Sequence, residues 1–497
     1  MFKKKYFLIL LIALYFISRV TFLNSVPIFN DESTYLRVAA HQINEPDHNF
    51  YSLRIGKEPL LPYLFGIAGE ITGDYLVGGR IVSIFFGFLT LIGIFYFTKQ
   101  LFGDKASVFA GTIYVLSPYN LFFDRLALLD GAVSTISVWS LFLTYLLFKH
   151  QRWKYVFLLA FITALGVWIK ATGLFFVFLP LIGFSLFYFL DKSTKDKKNY
   201  VLIQILSALG IAILSYFILY SHPFYSEYKL IIAQYTYPFS RIFTFPFGIW
   251  IDNLSSISQW LLFYPTPFVL ILSLLFVISK KGDLKNSYLI YLWFLLPFLY
   301  EVALGKTLTS RHSLLLTIPL IVLAGVYLST ITKKTVLYSI LAVFISISSF
   351  YNLTLYLNPQ KLPEFYPLKA KSDLMQYFYG FSSGYGVMEA IDYLKSISKE
   401  RDIAVIIRND FGNPEDAVVG FLHYENNTLV IPLNTVDQDQ FRKIIEALLK
   451  ESEGKYPIYF VSRGPHFAGA DMYFKDEKIF KKPNDREFVG VYEMELR

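Results

Sequence analysis

The residues best suited to chemistry are acids and bases at the ends of long apolar segments. The acids are Asp31 and Glu32, in FNDESTY, and Asp130, in LLDGAV. The bases come from four separate segments and are Lys57, Arg80, Lys170 and Arg311. Arginine binds a phosphate through paired hydrogen bonds, and lysine binds it as a point charge. A carboxylate can accept the proton of an attacking hydroxyl or amine. Together these residue types favour a site that binds a phosphate and transfers the group attached to it.

Each of these features also fits a structural explanation. Asp31 and Glu32 could be acids in the first turn of a helix, where the helix dipole stabilises them. Lys57 could be an interfacial lysine whose stem covers apolar surface. Asp124 and Arg125 could form an ion pair that offsets the cost of a charge at the mouth of an apolar helix. We favour a functional role because the charges come from separate segments and converge at one membrane depth.

The apolar segments between these charges predict an integral membrane protein. Of the 497 residues, 55% are hydrophobic and 17% are charged, whereas soluble domains are about a quarter charged. A helix that spans a bilayer needs about 20 mostly apolar residues. The sequence therefore predicts a mostly α, polytopic bundle of about eleven spans over residues 1–353. The candidate spans are residues 6–23, 75–97, 105–119, 128–148, 155–170, 172–190, 201–221, 256–279, 287–304, 312–331 and 335–353.

The basic residues of the bundle predict its orientation. With the N-terminus in the cytoplasm, the inner segments contain 17 Lys and Arg residues and 4 acids. Short cytoplasmic loops carry such an excess of basic residues. The long loops 24–74 and 222–255 then lie on the extracytoplasmic face, together with the candidate site. The net charge of +8 comes from the bundle, because residues 354–497 contain 18 basic and 22 acidic residues. We therefore expect the lipid bilayer, and no nucleic acid, as a partner.

Residues 354–497 predict a second, extracytoplasmic α/β domain. GVMEAIDYLKSIS and DQFRKIIEALLKES are typical of amphipathic helices, and DIAVII and YPIYFVS are typical of strands. The segment carries no evident Gly-rich phosphate loop, metal-ligand spacing or nucleophile motif, so we expect a lid or an acceptor-binding domain. The chain has no Cys, which excludes disulfides and thiolate metal sites.

Taken in order, the motifs of residues 1–330 resemble those of the GT-C glycosyltransferases. DESTY is similar to the Asp-Glu motif in the first outer loop of that superfamily. GKEPLLPYL resembles the Lys-Pro-Pro-Leu stretch of the dolichyl-phosphate-mannose protein mannosyltransferases and of the lipid A aminoarabinose transferases. FFDRLALLDGAV, WIKATG and SRHSLLLTIPL are similar to their Arg…Asp turn, Lys-Gly turn and Arg-Tyr-Leu-Pro segment.

The resemblance implies an inverting glycosyltransferase of the cell envelope. Its donor would be a sugar on a polyprenyl- or dolichyl-phosphate carrier, and its acceptor a lipid, a glycan or a protein. The resemblance implies that Asp31 is the catalytic base and that Lys57 and Arg311 hold the lipid phosphate. Glu32 belongs to the same acidic motif. The resemblance also places Arg80, Asp130 and Lys170 at the site.

Three residues depart from the pattern of those families. Gly56 stands where the lipid A enzymes have a metal-binding Glu, so no metal ligands are assigned and a divalent cation is the one cofactor left open. Glu58 replaces the first proline of the Lys-Pro-Pro motif, and His312 replaces a Tyr. The C-terminal region does not resemble the β-trefoil of the eukaryotic enzymes, which implies a bacterial or archaeal source.

Other classes of protein could also use this set of charges. A lipid-phosphate flippase or transporter would bind phosphate through cations, although secondary transporters have repeated halves and polar residues near the midplane, and we find neither feature here. An oligosaccharide transferase of the same superfamily and a non-catalytic sensor are further alternatives.

Overall fold

The computed structural model of the chain describes residues 4–190, 194–279, 284–434, 438–452, 455–464, 471–484 and 486–496. Within these residues the α-helices are, in chain order, α1 (Lys4–Val20), α2 (Asn30–Asn44), α3 (Leu60–Thr72), α4 (Tyr75–Phe102), α5 (Asp104–Leu116), α6 (Pro118–Asp124), α7 (Leu129–His150), α8 (Trp153–Ile169), α9 (Gly173–Leu190), α10 (Lys195–Tyr220), α11 (Tyr225–Ile232), α12 (Phe247–Phe263), α13 (Pro267–Ile278), α14 (Leu284–Leu304), α15 (Leu314–Thr330), α16 (Lys334–Leu357), α17 (Leu368–Phe378), α18 (Val387–Ser398), α19 (Glu415–Leu422) and α20 (Gln438–Ser452). The strands are β1 (Ile403–Arg408), β2 (Thr428–Leu433), β3 (Ile458–Arg463), β4 (Phe474–Lys481) and β5 (Phe488–Met494).

The membrane part has fewer long apolar helices than the sequence predicts. All eleven predicted segments fall on helices, but only six helices of the described residues are long and apolar enough to cross a bilayer alone: α4, α7, α10, α14, α15 and α16. Two bent helix pairs, α5 with α6 and α12 with α13, bring the number to eight at most. Helices α1, α8 and α9 are apolar but shorter. A helix rises 1.5 Å per residue, so one of about 17 residues falls short of a hydrocarbon core of about 30 Å. Eleven spans are therefore not confirmed.

The span predicted over residues 256–279 is not one straight helix. It consists of α12 and α13, which meet at an angle of 103°. Thr266 has φ +78°, a backbone conformation that no helix contains, and Pro267 then begins α13. Helix α12 begins at Phe247, so it also takes up part of the loop predicted over residues 222–255.

The loop predicted over residues 24–74 is largely helical. It contains α2, two short 3₁₀ helices (Pro46–His48 and Tyr51–Ile55) and α3. At the start of α2 the Phe29 amide donates to the Glu32 side chain at 2.9 Å, which is the N3 half of a capping box. Helix α2 packs between α3 on one side and α19 of the C-terminal region on the other. The first residues of α2 are thereby fixed from two directions.

The C-terminal region contains the α/β structure that its sequence predicts. Its sheet has the strand order β2-β1-β3-β5-β4, with β1 parallel to β2 and β3, and with β5 antiparallel to both of its neighbours. Successive residues of β1 face opposite sides of the sheet. Val405 joins the core that includes α18 and α19, and Ile406 joins a separate core under α20.

The bundle and the C-terminal region share one continuous core. Buried residues of the bundle, such as Phe65 and Phe122, belong to the same apolar cluster as Tyr377 and Ile391. Helix α16 continues to Leu357, four residues past the boundary predicted at 353.

Candidate active site

A cavity of about 510 Å³ collects most of the residues predicted to do chemistry. One part of its wall is apolar and comes from α9 and α14, with Phe175, Phe178 and Pro297 among its residues. The other part carries ionisable groups from five separate segments. These groups are Lys57, Glu58, Asp130, Lys170, Glu301, Arg311 and His312. The cavity therefore combines a charged end with an apolar wall, as an amphiphilic ligand requires.

Asp31 and Arg311 form an ion pair at the edge of this cavity. Arg311 Nη1 lies 2.6 Å from Asp31 Oδ2, and the two side chains are 13% and 25% exposed. Burial raises the pKa of Asp31, but the charges of Arg311 and Lys57 outweigh it, so the pKa lies below its ordinary value. Asp31 is thus ionised near neutral pH and partly open to an incoming group.

Lys57 is the cation of the cavity that lacks a close counter-charge. Its Nζ lies 5.7 Å from the ring centre of Tyr35 and 5.1 Å from that of Tyr235. Among the residues that the structure describes, no carboxylate oxygen lies within 4.0 Å of this nitrogen. Burial lowers the pKa of Lys57, and Arg311 and Lys170 lower it further, while Asp31 opposes them. A half-buried ammonium with π faces as its near neighbours is suited to bind an anion.

Asp130 and Lys170 form the second ion pair of the cavity. Asp130 lies in the first turn of α7, and Lys170 follows the last residue of α8. Lys170 Nζ donates to Asp130 Oδ1 at 2.5 Å. Both residues line the cavity, so the pair holds a second cation at its charged end.

The turn that carries Arg311 is fixed by Asp373 of α17. The Ser310 amide donates to Asp373 Oδ1 at 3.1 Å, and the Ser310 hydroxyl donates to Oδ2 at 2.5 Å. The Tyr264 hydroxyl donates to the same carboxylate at 3.4 Å. Burial raises the pKa of Asp373, although these hydrogen bonds lower it in part. The C-terminal third of the chain thus positions a residue of the site.

Comparisons with known proteins find similar folds and one family match. Residues 56–220 match the family described as dolichyl-phosphate-mannose-protein mannosyltransferase. The chain is similar to ArnT from Cupriavidus metallidurans bound to undecaprenyl phosphate, with a TM-score of 0.61 and 11% identity over 98% of this chain and 97% of that one. The chain therefore shares the fold of ArnT, and the family match covers about a third of its length.

A second solved structure shares this fold. Archaeal oligosaccharyltransferase AglB from Archaeoglobus fulgidus, in complex with an inhibitory peptide and a dolichol-phosphate, superposes with a TM-score of 0.53 and 12% identity. That match covers 92% of this chain and 69% of AglB. No curated protein matches the chain.

Two predicted site residues, Glu32 and Arg80, lie away from the cavity. Glu32 and Arg80 are fully buried and form a two-pronged ion pair, with both nitrogen–oxygen distances at 3.0 Å. Glu32 also accepts from the amides of Phe29 and Ala127, at 2.9 and 2.7 Å. Arg80 donates to three loop carbonyls, those of Leu23, Val26 and Pro27. Both side chains are saturated by protein partners. The pair holds the start of α2 against α4, while the catalytic role of Glu32 and the donor contact of Arg80 stay predictions.

Asp124 and Arg125 also have structural partners, but they do not pair with each other. Asp124 Oδ2 accepts from Arg19 Nε at 3.3 Å and from the hydroxyl of Tyr114 at 3.2 Å. Arg125 donates to backbone carbonyls of the α1–α2 connection, including that of Thr21 at 3.3 Å. The ion pair that the sequence suggested is replaced by two separate anchors of α1.

Three groups of the cavity were not predicted from the sequence: Glu58, Glu301 and Tyr235. Glu58 was noted only as a departure from a motif, yet burial raises its pKa to about 7, and it accepts a hydrogen bond from the Tyr228 hydroxyl. Glu301 lines the cavity and accepts from the Ser313 hydroxyl at 2.8 Å. An acid inside an apolar helix is a recognisable signal of function, and Glu301 carried it. Tyr235 gave no such signal.

The position where the related lipid A enzymes have a metal-binding Glu does not fit a metal ligand here. Gly56 has φ +70°, and a Cβ there would lie 2.5 Å from Ile231 Cγ2. The residue therefore provides no side-chain ligand, and a larger residue would be strained and crowded. No step of the chemistry below is assigned to a metal.

Proposed function

We propose that this protein is an inverting glycosyltransferase that moves a sugar from a polyprenyl- or dolichyl-phosphate carrier to an acceptor. The observation that carries the proposal is the cavity itself. It places a cation without a close counter-charge, Lys57, beside the Asp31–Arg311 pair and an apolar wall. A lipid-linked sugar phosphate needs each of these parts: cations for the phosphate, an apolar surface for the lipid and a carboxylate for the acceptor.

The donor would bind with its phosphate between Lys57 and Arg311. Lys170, held by Asp130, adds a third positive charge at the same end of the cavity. The first isoprene units would lie along the wall formed by α9 and α14. The names of the related proteins support this choice of donor, because the ArnT structure is bound to undecaprenyl phosphate and the AglB structure to a dolichol-phosphate.

The transfer step would use Asp31 as the base. The acceptor hydroxyl or amine loses its proton to an Asp31 oxygen and attacks the anomeric carbon on the side opposite the phosphate. The bond between that carbon and the phosphate oxygen breaks, and its electrons stay on the lipid phosphate. Lys57 and Arg311 stabilise the charge that develops there. A low pKa makes Asp31 a modest base, but the departing phosphate is a good leaving group, so the reaction needs no strong acid or base.

The reaction would take place on the extracytoplasmic face. The basic residues of the short loops favour a cytoplasmic N-terminus, which places the 24–74 loop and the C-terminal α/β region outside. A protease added to intact cells should then remove the region after residue 353. Complete protection of this region in intact cells, with cleavage only after lysis, would reverse the orientation.

Lipid analysis of cells tests the function directly. Cells that lack the protein should accumulate one polyprenyl-phosphate sugar, detected by mass spectrometry, and the wild-type chain should clear it. Asp31→Asn should fail to clear it, while Asp252→Asn, which changes an exposed acid of α12, should behave as wild type.

An assay of the purified protein in detergent separates the transferase from a flippase. Purified protein in detergent has no second membrane face, so a flippase releases no product there. A transferase consumes the donor and releases free lipid phosphate once the acceptor is present. Absence of this release with every acceptor fraction from the cell envelope would contradict the proposal.

A further inference from the structure

Three of the seven histidines meet outside the cavity, at the C-terminal end of α2. His41 lies in the last turn of α2, His48 belongs to the 3₁₀ helix that follows, and His423 comes directly after α19. The His41 ring centre lies 5.6 Å from that of His48 and 5.7 Å from that of His423. The carboxylate of Glu45 faces all three rings. Two segments about 380 residues apart in the sequence thus contribute to one cluster.

We propose that His41, Glu45, His48 and His423 bind a divalent transition metal ion of the Zn²⁺ type. One ligand atom from each of His41, Glu45 and His48 lies within 4.8 Å of the other two. His423 Nε2 lies 3.9 Å from Glu45 Oε1 and is placed to be the fourth ligand. Imidazole nitrogens with one carboxylate form a donor set typical of Zn²⁺, which prefers four ligands in a tetrahedron.

The cluster has the size and the freedom that such an ion requires. Ligand atoms about 2.1 Å from a tetrahedral ion lie about 3.4 Å from one another. His41 Nδ1 is now 2.8 Å from Glu45 Oε1, so these two atoms would move apart by about half an ångström. His48 Nδ1 lies closer still to Glu45 Oε2 and would move farther. The side chains of His48 and Glu45 are 37% and 29% exposed, so they can make this adjustment without disturbing a packed core. The Tyr424 hydroxyl donates to Glu45 and can orient the carboxylate, as outer partners of metal ligands do.

A metal here would join the C-terminal region to the helix that carries Asp31. His41 and Glu45 lie at one end of α2 and Asp31 at the other, while His423 belongs to the region packed against α2. The ion would clamp these two parts together and would not take part in group transfer. The proposal is independent of the function proposed above, because it concerns stability and metal content alone.

Metal titration of the full chain tests this site. The protein is purified in detergent through an affinity tag without histidine, treated with a chelator and titrated with Zn²⁺ by calorimetry. We expect one bound Zn²⁺ per chain and a higher thermal unfolding temperature with the ion than without it. His48→Gln and Glu45→Gln should each weaken binding by at least about 10-fold and lose the thermal shift. His150→Gln, an exposed histidine at the other end of the bundle, should bind as wild type.

Failure of either measurement overturns the site. Wild-type protein that binds no Zn²⁺, or that binds it equally well with and without His48 and Glu45, has only a hydrogen-bonded cluster at this position. Binding of Ca²⁺ in preference to Zn²⁺ also contradicts it, because Ca²⁺ requires oxygen ligands. His423→Gln serves as a second variant if His48→Gln fails to fold, and it should show the same loss of Zn²⁺ affinity.

Discussion

Two neighbouring acids of α2 have opposite surroundings. Glu32 is fully buried, pairs with Arg80 through both oxygens and accepts two backbone amides. Asp31 is a quarter exposed, pairs with Arg311 through one nitrogen and lies beside the cavity. Adjacent residues of a helix point about 100° apart, so one position separates a core from a cavity. Both acids are charged and paired, so the number of hydrogen bonds that the protein already provides distinguishes an anchoring carboxylate from one that can act on a ligand.

The largest expected effect is a loss of folding stability when the Glu32–Arg80 pair is broken. Arg80→Ala leaves Glu32 as an uncompensated charge in the core, and breaking such a pair costs about 3–5 kcal/mol. We expect loss of most folded protein, measured by thermal unfolding in detergent and by yield after size-exclusion chromatography. Arg54→Ala, which breaks an exposed pair with Glu227, should change stability by no more than about 0.5 kcal/mol. A stable Arg80→Ala protein with a raised KM for the donor would return Arg80 to the site.

The matching change at the other acid should affect rate and not stability. Asp31→Asn removes the proposed base, and general base catalysis contributes about 10²–10⁴-fold to a rate. We therefore expect kcat to fall by that factor, while the unfolding temperature stays close to that of the wild type. A rate above a tenth of the wild-type value would remove Asp31 from the base role.

The third-largest effect should be weaker donor binding when a cation of the cavity is removed. A hydrogen bond to a charged group contributes about 1.5–3 kcal/mol, so Lys57→Ala and Arg311→Ala should raise the KM for the donor about 10-fold or more. Lys369→Ala, which changes a half-exposed lysine paired with Asp252, is the matched control. Unchanged donor dependence in both cavity variants would contradict the phosphate site.

The smallest expected effect is the change of the KM for the donor with pH. Glu58 has a pKa of about 7, so it loses its proton as the pH rises from 6 to 8 and adds a negative charge beside Lys57. The anionic donor should then bind more weakly, and its KM should rise a few-fold across this range. Glu58→Gln stays neutral and should flatten the rise, whereas Glu425→Gln, an exposed control, should not. An identical pH profile in the Glu58 variant would exclude this group from the donor site.

The sequence predicts the charges of the cavity better than their partners. Asp31, Lys57, Asp130, Lys170 and Arg311 all lie at ends of apolar segments, and the alternation of spans brings such ends to one face. The role of Asp373 could not be predicted, because its contact with Ser310 depends on how α17 packs, 63 residues further along the chain.

The sequence also could not tell which acid of α2 faces the cavity. That choice depends on the rotation of α2, which is fixed by α3 and by α19. The eleven apolar segments were found correctly as helical regions, but their lengths decide whether each crosses alone. Composition does not reveal a bend such as the one at Thr266.

Several contacts that hold the start of α2 and the turn of Arg311 come from residues that are synthesised late. Helix α2 emerges early, but Arg37 pairs with Asp416 at 3.0 Å and the Asn413 amide donates to Asn30 at 2.9 Å. In the same way, the turn of Arg311 gains its contact with Asp373 only after α17 has been synthesised. A nascent chain released before residue 373 would insert its apolar helices and still lack an ordered centre. Synthesis of the C-terminal region therefore completes the contacts that hold the start of α2 and the turn of Arg311.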